Sequence, residues 1–376
     1  MLSTNKPALS GQRQWHAIGL LTLTFLYLAL TVLARTINDN DFYWHLKTGQ
    51  WILENGGLPS FDPFAYTTSK QLDFTAIFTL KCYWLAQIIY AGMHNLAGFF
   101  GIYLVRVFIL AGIVISLYWR QDRQAEYSPV ISAFFLMVLC SFFPFERPQA
   151  FSFLFFSVLV LLLDDYLGPR RLKKKTAYLA LVVLTMVLWA NMHGGFILGG
   201  RIRVMYAGLD TAKVLIFREH KISSDYLFFL LICAAGLAAC FAHPNYDLVH
   251  KAVYYLFFPE NDWRYQFNGE YRSALAYSQT TGNLKFALLA VFALISIPAA
   301  LLRLKERDFA TAIMILLMGY MAYHSIRYIH FYLLAALPAV GSLVSLALRR
   351  VPFRPVIQLA ILVALHWVQS RNYLLF

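Results

Sequence analysis

Long apolar runs recur along the whole chain, and short polar segments separate them. A transmembrane helix needs about 20 predominantly apolar residues, because the hydrocarbon core is about 30 Å thick. The pattern therefore predicts an all-α polytopic membrane protein with about eleven transmembrane helices. These helices are predicted at roughly 15–34, 100–119, 128–144, 149–166, 176–191, 196–217, 225–242, 284–302, 308–323, 329–348 and 355–370.

Composition agrees with this class, because 60% of the 376 residues are hydrophobic and only 14% are charged. The net charge of +13 does not indicate nucleic-acid binding, since the lysines and arginines lie in short clusters between apolar runs. Of the four cysteines, three lie inside apolar runs and Cys82 stands alone. This spacing predicts neither a disulfide framework nor a cysteine metal site.

The topology depends on residues 73–95, a stretch that is apolar on average but carries Asp73, Lys81, Gln87 and His94. If this stretch does not span, five basic connections lie on the same side as the N-terminus. That side then holds about half of the 32 lysines and arginines, as the positive-inside rule expects. We therefore predict an interfacial helix within a long outer loop, 35–98, and a second large outer loop, 243–283. The first helix, 15–34, is predicted to be uncleaved, which places the N-terminus in the cytoplasm.

With this topology, the remaining polar clusters all fall on the outer side. Ionisable groups at a membrane edge are costly unless they are used, so clusters on one face indicate a functional site. The alternative is that arginines and tryptophans there only anchor helix ends. The clusters are "NDNDFYWHLK" (38–47), "FERPQ" (145–149), "WANMHGG" (189–195), "HPNYD" (243–247), "NDWRYQFNGEYR" (261–272) and "HSIRYIH" (324–330).

The first cluster places an acid at the boundary between water and lipid. Asn38 or Asp39 is predicted to cap a helix on which Asp41, His45 and Thr48 share one face. A carboxylate there is suited to deprotonating an attacking hydroxyl or to holding a divalent metal. Asp41 and His45 form at most half of a metal site, because no third ligand follows in the pattern. For Asp39, simple helix capping is the main alternative to a catalytic role.

Candidate cations for a phosphate lie in the same outer segments. Arginine matches phosphate geometry with two parallel hydrogen bonds, and desolvation at the interface strengthens the pair. The candidates in the loops are Arg147, His193, His243, Arg272, Arg327 and His330. Arg201 and Arg203 are predicted just inside the outer end of their helix, at the depth of a lipid phosphate.

The chain resembles the GT-C superfamily of integral membrane glycosyltransferases, which includes protein O-mannosyltransferases, aminoarabinose transferases and oligosaccharyltransferases. The resemblance lies in a first helix followed by a long acidic outer loop, here with Asp39 and Asp41. "NLAGFFGIYLVRVF" loosely matches a mannosyltransferase-type pattern and points to Arg106. The segments "DNDFYWHLKTGQWILENGGLPSFDPFAYT", "ERPQAFSF", "LWANMHGGFILG", "HPN" and "RYIHFYLLAALP" look more closely like a bacterial GT-C-like membrane family.

This resemblance implies a multi-pass protein of the bacterial inner membrane that transfers a sugar from a polyprenyl-phosphate-linked donor on the outer face. Asp41, with Asp39 as substitute, takes the place of the family's first-loop catalytic acid. His45 and Arg106 join the candidate cations as substrate-binding residues. The motifs of peptide-acceptor enzymes are absent from the chain, so the acceptor is left open, as are the donor sugar and the role of a divalent metal.

Two other functions fit parts of the sequence. A polysaccharide polymerase or ligase of the O-antigen type also has outer-face arginines and histidines, but it needs no first-loop acid. A glycan transporter or assembly scaffold is the non-enzymatic alternative. A transporter typically shows polar residues near mid-membrane or repeated broken helices, whereas segments such as "FALLAVFALISI" are uniformly apolar.

Overall fold

The structure is a computed structural model that describes residues 39–64, 80–120, 146–168, 174–216, 222–246, 271–276 and 284–348, with positions 26, 29, 33, 36 and 37 before them. In these residues every regular element is helical, which confirms the predicted all-α class. The helices are α1 (Asn40–Asn55), α2 (Trp84–Arg120), α3 (Gln149–Leu167), α4 (Lys175–Met192), α5 (Phe196–Leu215), α6 (Ser224–Ala239), α7 (Leu284–Lys305), α8 (Phe309–His324) and α9 (Ile329–Leu348), with a 3₁₀ turn at Ile326–Tyr328.

Four helical segments among the described residues are long and apolar enough to cross a membrane: Trp84–Arg120, Gln149–Leu167, Lys175–Met192 and Ile326–Ala347. Helices α6 and α8 are apolar but shorter. A membrane protein is therefore supported, whereas the number eleven stays a prediction. The predicted helices at 128–144 and 355–370 lie outside the described residues, as does most of 15–34.

Helix α2 consists of two helices joined at a break. Ala97 and Gly98 leave helical geometry, and Gly98 has φ 59° and ψ −145°, a conformation open mainly to glycine. The part before the break, about 13 residues long, reaches roughly 20 Å at 1.5 Å per residue, less than the 30 Å of a hydrocarbon core. This short part belongs to the stretch for which an interfacial helix is predicted.

Contacts show that the short part of α2 begins and ends at one end of the helix bundle. Trp84 Nε1 donates to Asn191 Oδ1 at 2.8 Å, beside the end of α4. Arg106, two turns after the break, forms an ion pair with Glu146, just before α3 begins. The second part of α2 then runs to Arg120. We call the end of the bundle defined by Trp84, Asn191 and Glu146 the site end.

The opposite end is held by a buried polar network. Arg120 Nε lies 3.1 Å from Asp164 Oδ2, near the last turn of α3, and Nη1 donates to the carbonyl of Leu334 at 2.9 Å. Tyr206 donates its hydroxyl to Asp164 at 2.5 Å. These bonds connect α2, α3, α5 and α9. The network explains why charged residues are tolerated inside an apolar bundle.

The order of the helices brings the predicted polar clusters to the site end. Helices α3, α5 and α9 begin there, and α4, α6 and α8 end there, because the helices from α3 to α6, and those from α7 to α9, alternate in direction through short connections. Helix α9 lies in the centre of the bundle, with every residue from 329 to 341 buried. Residues 247–270 and 277–283 of the predicted second outer loop lie outside the described residues.

Candidate functional site

Two aspartates and an arginine meet at the start of α1. Asp39 is the N-cap residue, and its Oδ1 accepts the backbone N–H of Asp41 at 3.0 Å. Arg147 donates to both carboxylate oxygens of Asp39, from Nε to Oδ2 and from Nη2 to Oδ1, the latter at 3.1 Å. Its Nη1 lies 3.1 Å from Asp41 Oδ2. One guanidinium thus holds two carboxylates that lie more than 100 residues away in sequence.

The two aspartates differ in accessibility. The side chain of Asp39 is 7% exposed, whereas that of Asp41 is 61% exposed. Asp39 has both oxygens engaged, by the helix cap and by the two bonds from Arg147. Asp41 Oδ2 lies beside Arg147 Nη1 and the rest of its side chain is open to solvent. Asp41 is therefore the carboxylate that a substrate can reach, and Asp39 fixes the position of the helix and of Arg147.

A second ion pair lies beneath this cluster. Arg106 and Glu146 form a salt bridge, and each side chain is 1% exposed. Arg106 was predicted to bind substrate, but in this structure its charge is buried and compensated by a carboxylate. Glu146 and Arg147 are neighbours in sequence. One therefore anchors the segment to α2, and the other reaches α1 at the site.

His45 lies on the buried side of α1. Its Nδ1 accepts from the Gln87 amide at 3.2 Å, and its ring is 8% exposed. Burial and the nearby Arg147 charge lower the pKa of His45 to about 3, although Asp39 acts in the opposite direction. His45 is therefore neutral at physiological pH. In the described residues no group of three His, Cys, Asp or Glu side chains is placed to hold a metal ion.

His193 ends helix α4 and forms part of a hydrogen-bond chain. Its Nδ1 lies 2.7 Å from Ser152 Oγ and 2.9 Å from the backbone nitrogen of Gly195. Ser152 Oγ also accepts from Trp189 Nε1 at 2.7 Å. Burial, followed by the charge of Arg327 and the influence of His45, lowers the pKa of His193 to about 3. The ring is therefore neutral and fixed at one nitrogen.

Tyr83 connects the two histidines. Its ring centroid lies 5.2 Å from that of His45 and 5.4 Å from that of His193. The pKa of His193 is affected by Arg327, and that of His45 by Arg147. The Tyr83 ring thus separates His45, on the side of Arg147, from His193, on the side of Arg327.

Further arginines lie near Arg327. Arg327 donates to the hydroxyl of Tyr271, and its guanidinium stands 4.5 Å from the Tyr271 ring centroid. Arg201 and Arg327 both act electrostatically on Tyr328. Arg272 is exposed, and its carbonyl accepts from the Ile326 backbone at 3.1 Å. This part of the site end is therefore strongly cationic.

The last two predicted histidines are buried. His243 Nδ1 accepts the backbone N–H of Asn245 at 2.8 Å, and burial lowers the pKa of His243 to about 4. His330 is 1% exposed and stacks on Phe153 with ring centroids 4.5 Å apart. Both therefore support helix ends within the bundle, below the exposed part of the site.

Several residues that hold the site together are not among the predicted site residues. Ser152 and Gln87 lie inside apolar helices, where an isolated polar residue gives little signal. Asn191 accepts from Trp84 and donates to the carbonyl of Ala242 at 2.7 Å, which connects α2, α4 and the end of α6. The feature of the sequence that indicates such residues is a polar side chain within an apolar helix, because a buried polar group needs a hydrogen-bond partner.

No family model, curated protein or solved structure matches the chain.

The site combines an accessible carboxylate with fixed cations and neutral imidazoles. A carboxylate beside a guanidinium has the polarity needed to accept a proton while negative charge on a leaving group is stabilised nearby. The neutral histidines are able to donate hydrogen bonds but carry no charge. The cysteines among the described residues are buried, so none of them is placed as an accessible nucleophile.

Proposed function

We propose that the protein is a membrane glycosyltransferase that moves a sugar from a polyprenyl-phosphate-linked donor to an acceptor. The observation that carries the proposal is the 61%-exposed Asp41 carboxylate, held by Arg147 at the end of the bundle where Arg201, Arg272 and Arg327 gather. A lipid-linked donor fits this position because helices long and apolar enough to span a membrane end there.

In this mechanism Asp41 is the general base. It accepts the proton of the acceptor hydroxyl while that oxygen forms a bond to the anomeric carbon of the sugar. The bond between that carbon and the phosphate oxygen breaks, and its electron pair leaves with the polyprenyl phosphate. The cations at the site end stabilise the charge that develops on the departing phosphate. The proton remains on Asp41 until solvent removes it.

Arg147 has a double role in this proposal. Its bonds to Asp39 fix the guanidinium, and its Nη1 orients Asp41. Because the side chain of Asp41 is 61% exposed, an incoming hydroxyl can reach its carboxylate while Arg147 holds it. The fixed geometry reduces the entropy that must be lost when the reactants are aligned.

The resemblance of the first-loop segment to GT-C enzymes supports the same assignment of Asp41. By that resemblance the site faces the extracytoplasmic side of a bacterial inner membrane, with the N-terminus in the cytoplasm. The proposal assigns the proton transfer to Asp41, because its carboxylate is the more exposed of the two.

The test is transfer of labelled sugar from a mixed pool of polyprenyl-phosphate sugars by the purified protein in nanodiscs. We expect Asp41→Asn to abolish turnover while the fold is retained, because the exposed carboxylate contributes little to stability. Unchanged turnover in both Asp41→Asn and Asp39→Asn would favour an O-antigen-type polymerase or ligase. No turnover by the wild type would favour a glycan transporter or scaffold.

A further inference from the structure

The hydrogen bonds at His193 determine which ring nitrogen carries the proton. A backbone N–H only donates, so Gly195, whose nitrogen lies 2.9 Å from Nδ1, requires an unprotonated Nδ1. The indole of Trp189 also only donates, and its target is Ser152 Oγ at 2.7 Å. The Ser152 hydroxyl proton is then free to point to His193 Nδ1, 2.7 Å away. Ser152 and Gly195 therefore both donate to Nδ1, and Trp189 donates to Ser152.

The consequence is a neutral imidazole with its proton on Nε2. His193 is half-buried, and the structure gives its Nε2 no hydrogen-bond partner among the described residues. The buried position and the charge of Arg327 disfavour a second proton on the ring. A neutral imidazole of this kind polarises or stabilises an oxygen by donating a hydrogen bond, without acting as a base.

The supports of the ring are rigid. Ser152 is fully buried in α3, and Trp189 is fully buried at the end of α4. A Cβ added at Gly195 would collide with Ser152 Oγ and approach His193 Nδ1, so the loop after α4 fits closely over this contact. Such supporting hydrogen bonds fix the direction of a donor more firmly than a loop alone does.

We propose that Ser152 and Trp189 are positioning residues that present His193 Nε2–H to a phosphate oxygen of the lipid-linked donor, next to Arg327. This inference rests on the proposed function, which it deepens by naming the group that contacts the leaving phosphate. In this proposal Asp41 and Arg147 contact the acceptor. His193 and Arg327, across the Tyr83 ring, contact the phosphate.

The first test reads the tautomer without any substrate. The protein is labelled with ¹⁵N-histidine, and His193→Gln identifies the His193 signals among those of the ten histidines. We expect a protonated Nε2 and an unprotonated Nδ1 throughout the neutral pH range. A protonated Nδ1 would overturn the proposal.

The second test measures binding of farnesyl phosphate to the protein in phosphatidylcholine nanodiscs. In His193→Asn the shorter amide replaces Nδ1 and still accepts from Ser152 and Gly195, but the donor at the Nε2 position is lost. In His193→Gln the amide nitrogen reaches the Nε2 position. We expect Asn to weaken binding by about 10-fold to 100-fold, the range for a hydrogen bond to a charged group, and Gln to keep most of the affinity.

The chain offers a matched control on helix α3. Ser152 and Ser157 are both fully buried, but Ser157 Oγ has no hydrogen-bond partner in the described residues. Ser152→Ala should weaken farnesyl phosphate binding by roughly 5-fold, the scale of one neutral hydrogen bond. Ser157→Ala should leave it unchanged.

The outcomes separate this inference from the proposed function. Equal affinity of wild type and His193→Asn would overturn the phosphate contact, as would a wild type that binds no farnesyl phosphate. If the tautomer and the order of affinities are as expected but labelled sugar is not transferred, the glycosyltransferase proposal fails and the phosphate contact stands.

Discussion

Asp39 and Asp41 contact the same arginine, yet the structure predicts opposite consequences when each is neutralised. The decisive change is Asp39→Asn compared with Asp41→Asn. Asparagine is about as good an N-cap as aspartate, so Asp39→Asn keeps the cap of α1 but removes the charge and replaces one of the two oxygens that accept from Arg147 by an amide donor. Asp41→Asn removes the accessible carboxylate and leaves the bonds between Asp39 and Arg147 in place.

The magnitudes follow from burial. An exposed ion pair contributes about 0–1 kcal/mol to the free energy of unfolding, and removing one partner of a buried pair costs about 3–5 kcal/mol. Asp39 is 7% exposed and Arg147 is 26% exposed, so we expect a loss between these limits, about 1–3 kcal/mol. Asp41 is 61% exposed, so its loss should be below about 1 kcal/mol. Asp39→Ala should cost about 1 kcal/mol more than Asp39→Asn, because the cap is also lost.

The assay is reversible unfolding in detergent, followed by helix content, alongside sugar transfer in nanodiscs. Asp62→Asn is the control, because Asp62 Oδ1 accepts the Phe64 backbone N–H at 2.9 Å and forms no ion pair in the described residues. It should leave both stability and transfer near the wild-type values. We expect Asp39→Asn to lower stability, and Asp41→Asn to abolish transfer at nearly unchanged stability.

Two results would refute this reasoning. If Asp41→Asn destabilises the protein as much as Asp39→Asn, the exposed carboxylate is structural and the loss of transfer says nothing about chemistry. If Asp39→Asn is as stable as Asp62→Asn, the contact with Arg147 contributes nothing. A double-mutant cycle of Asp39→Asn with Arg147→Gln measures the coupling directly.

Three further predictions follow from other contacts. Glu146→Gln removes the carboxylate charge from the buried pair with Arg106, so we expect the free energy of unfolding to fall by about 3–5 kcal/mol. A stability near that of wild type would show that the pair is not buried in solution. Gly49→Ala brings a Cβ into the backbone of α2 and should lower the free energy of unfolding by about 1–3 kcal/mol. In the control Gly57→Ala the added Cβ meets open space, so its stability should not fall. Equal melting temperatures of the two variants would exclude the close α1–α2 contact. The folded-state pKa of His45, about 3, lies below its ordinary value of 6.5. The unfolded state therefore binds more protons between these values, and the free energy of unfolding should fall as pH is lowered from 6.5 toward 3. His45→Gln should flatten this acid dependence in a pH series of unfolding curves, and an unchanged slope would contradict the burial of the ring.

The sequence by itself determined the helical class and the approximate helix ends. Long apolar runs bounded by polar residues can adopt few structures other than a helix in a membrane, because the backbone N–H and C=O groups in lipid must be paired within the segment. The predicted range 149–166 is observed as Gln149–Leu167, and 176–191 as Lys175–Met192. The cap was also predictable, since Asp39 acts on its own helix, only two residues away.

Only the tertiary structure decided how the candidate residues are used. Arg147 meets Asp39 across 108 positions, and Gln87 meets His45 across 42. Such partners depend on which helices are neighbours and on their rotation, which the apolar periodicity of a buried helix does not specify. The same residue types therefore gave equal signals at Arg106, which is buried in an ion pair, and at Arg147, which is partly exposed. Burial and pairing, rather than residue type, distinguish a charge that supports the fold from one that is available to a substrate.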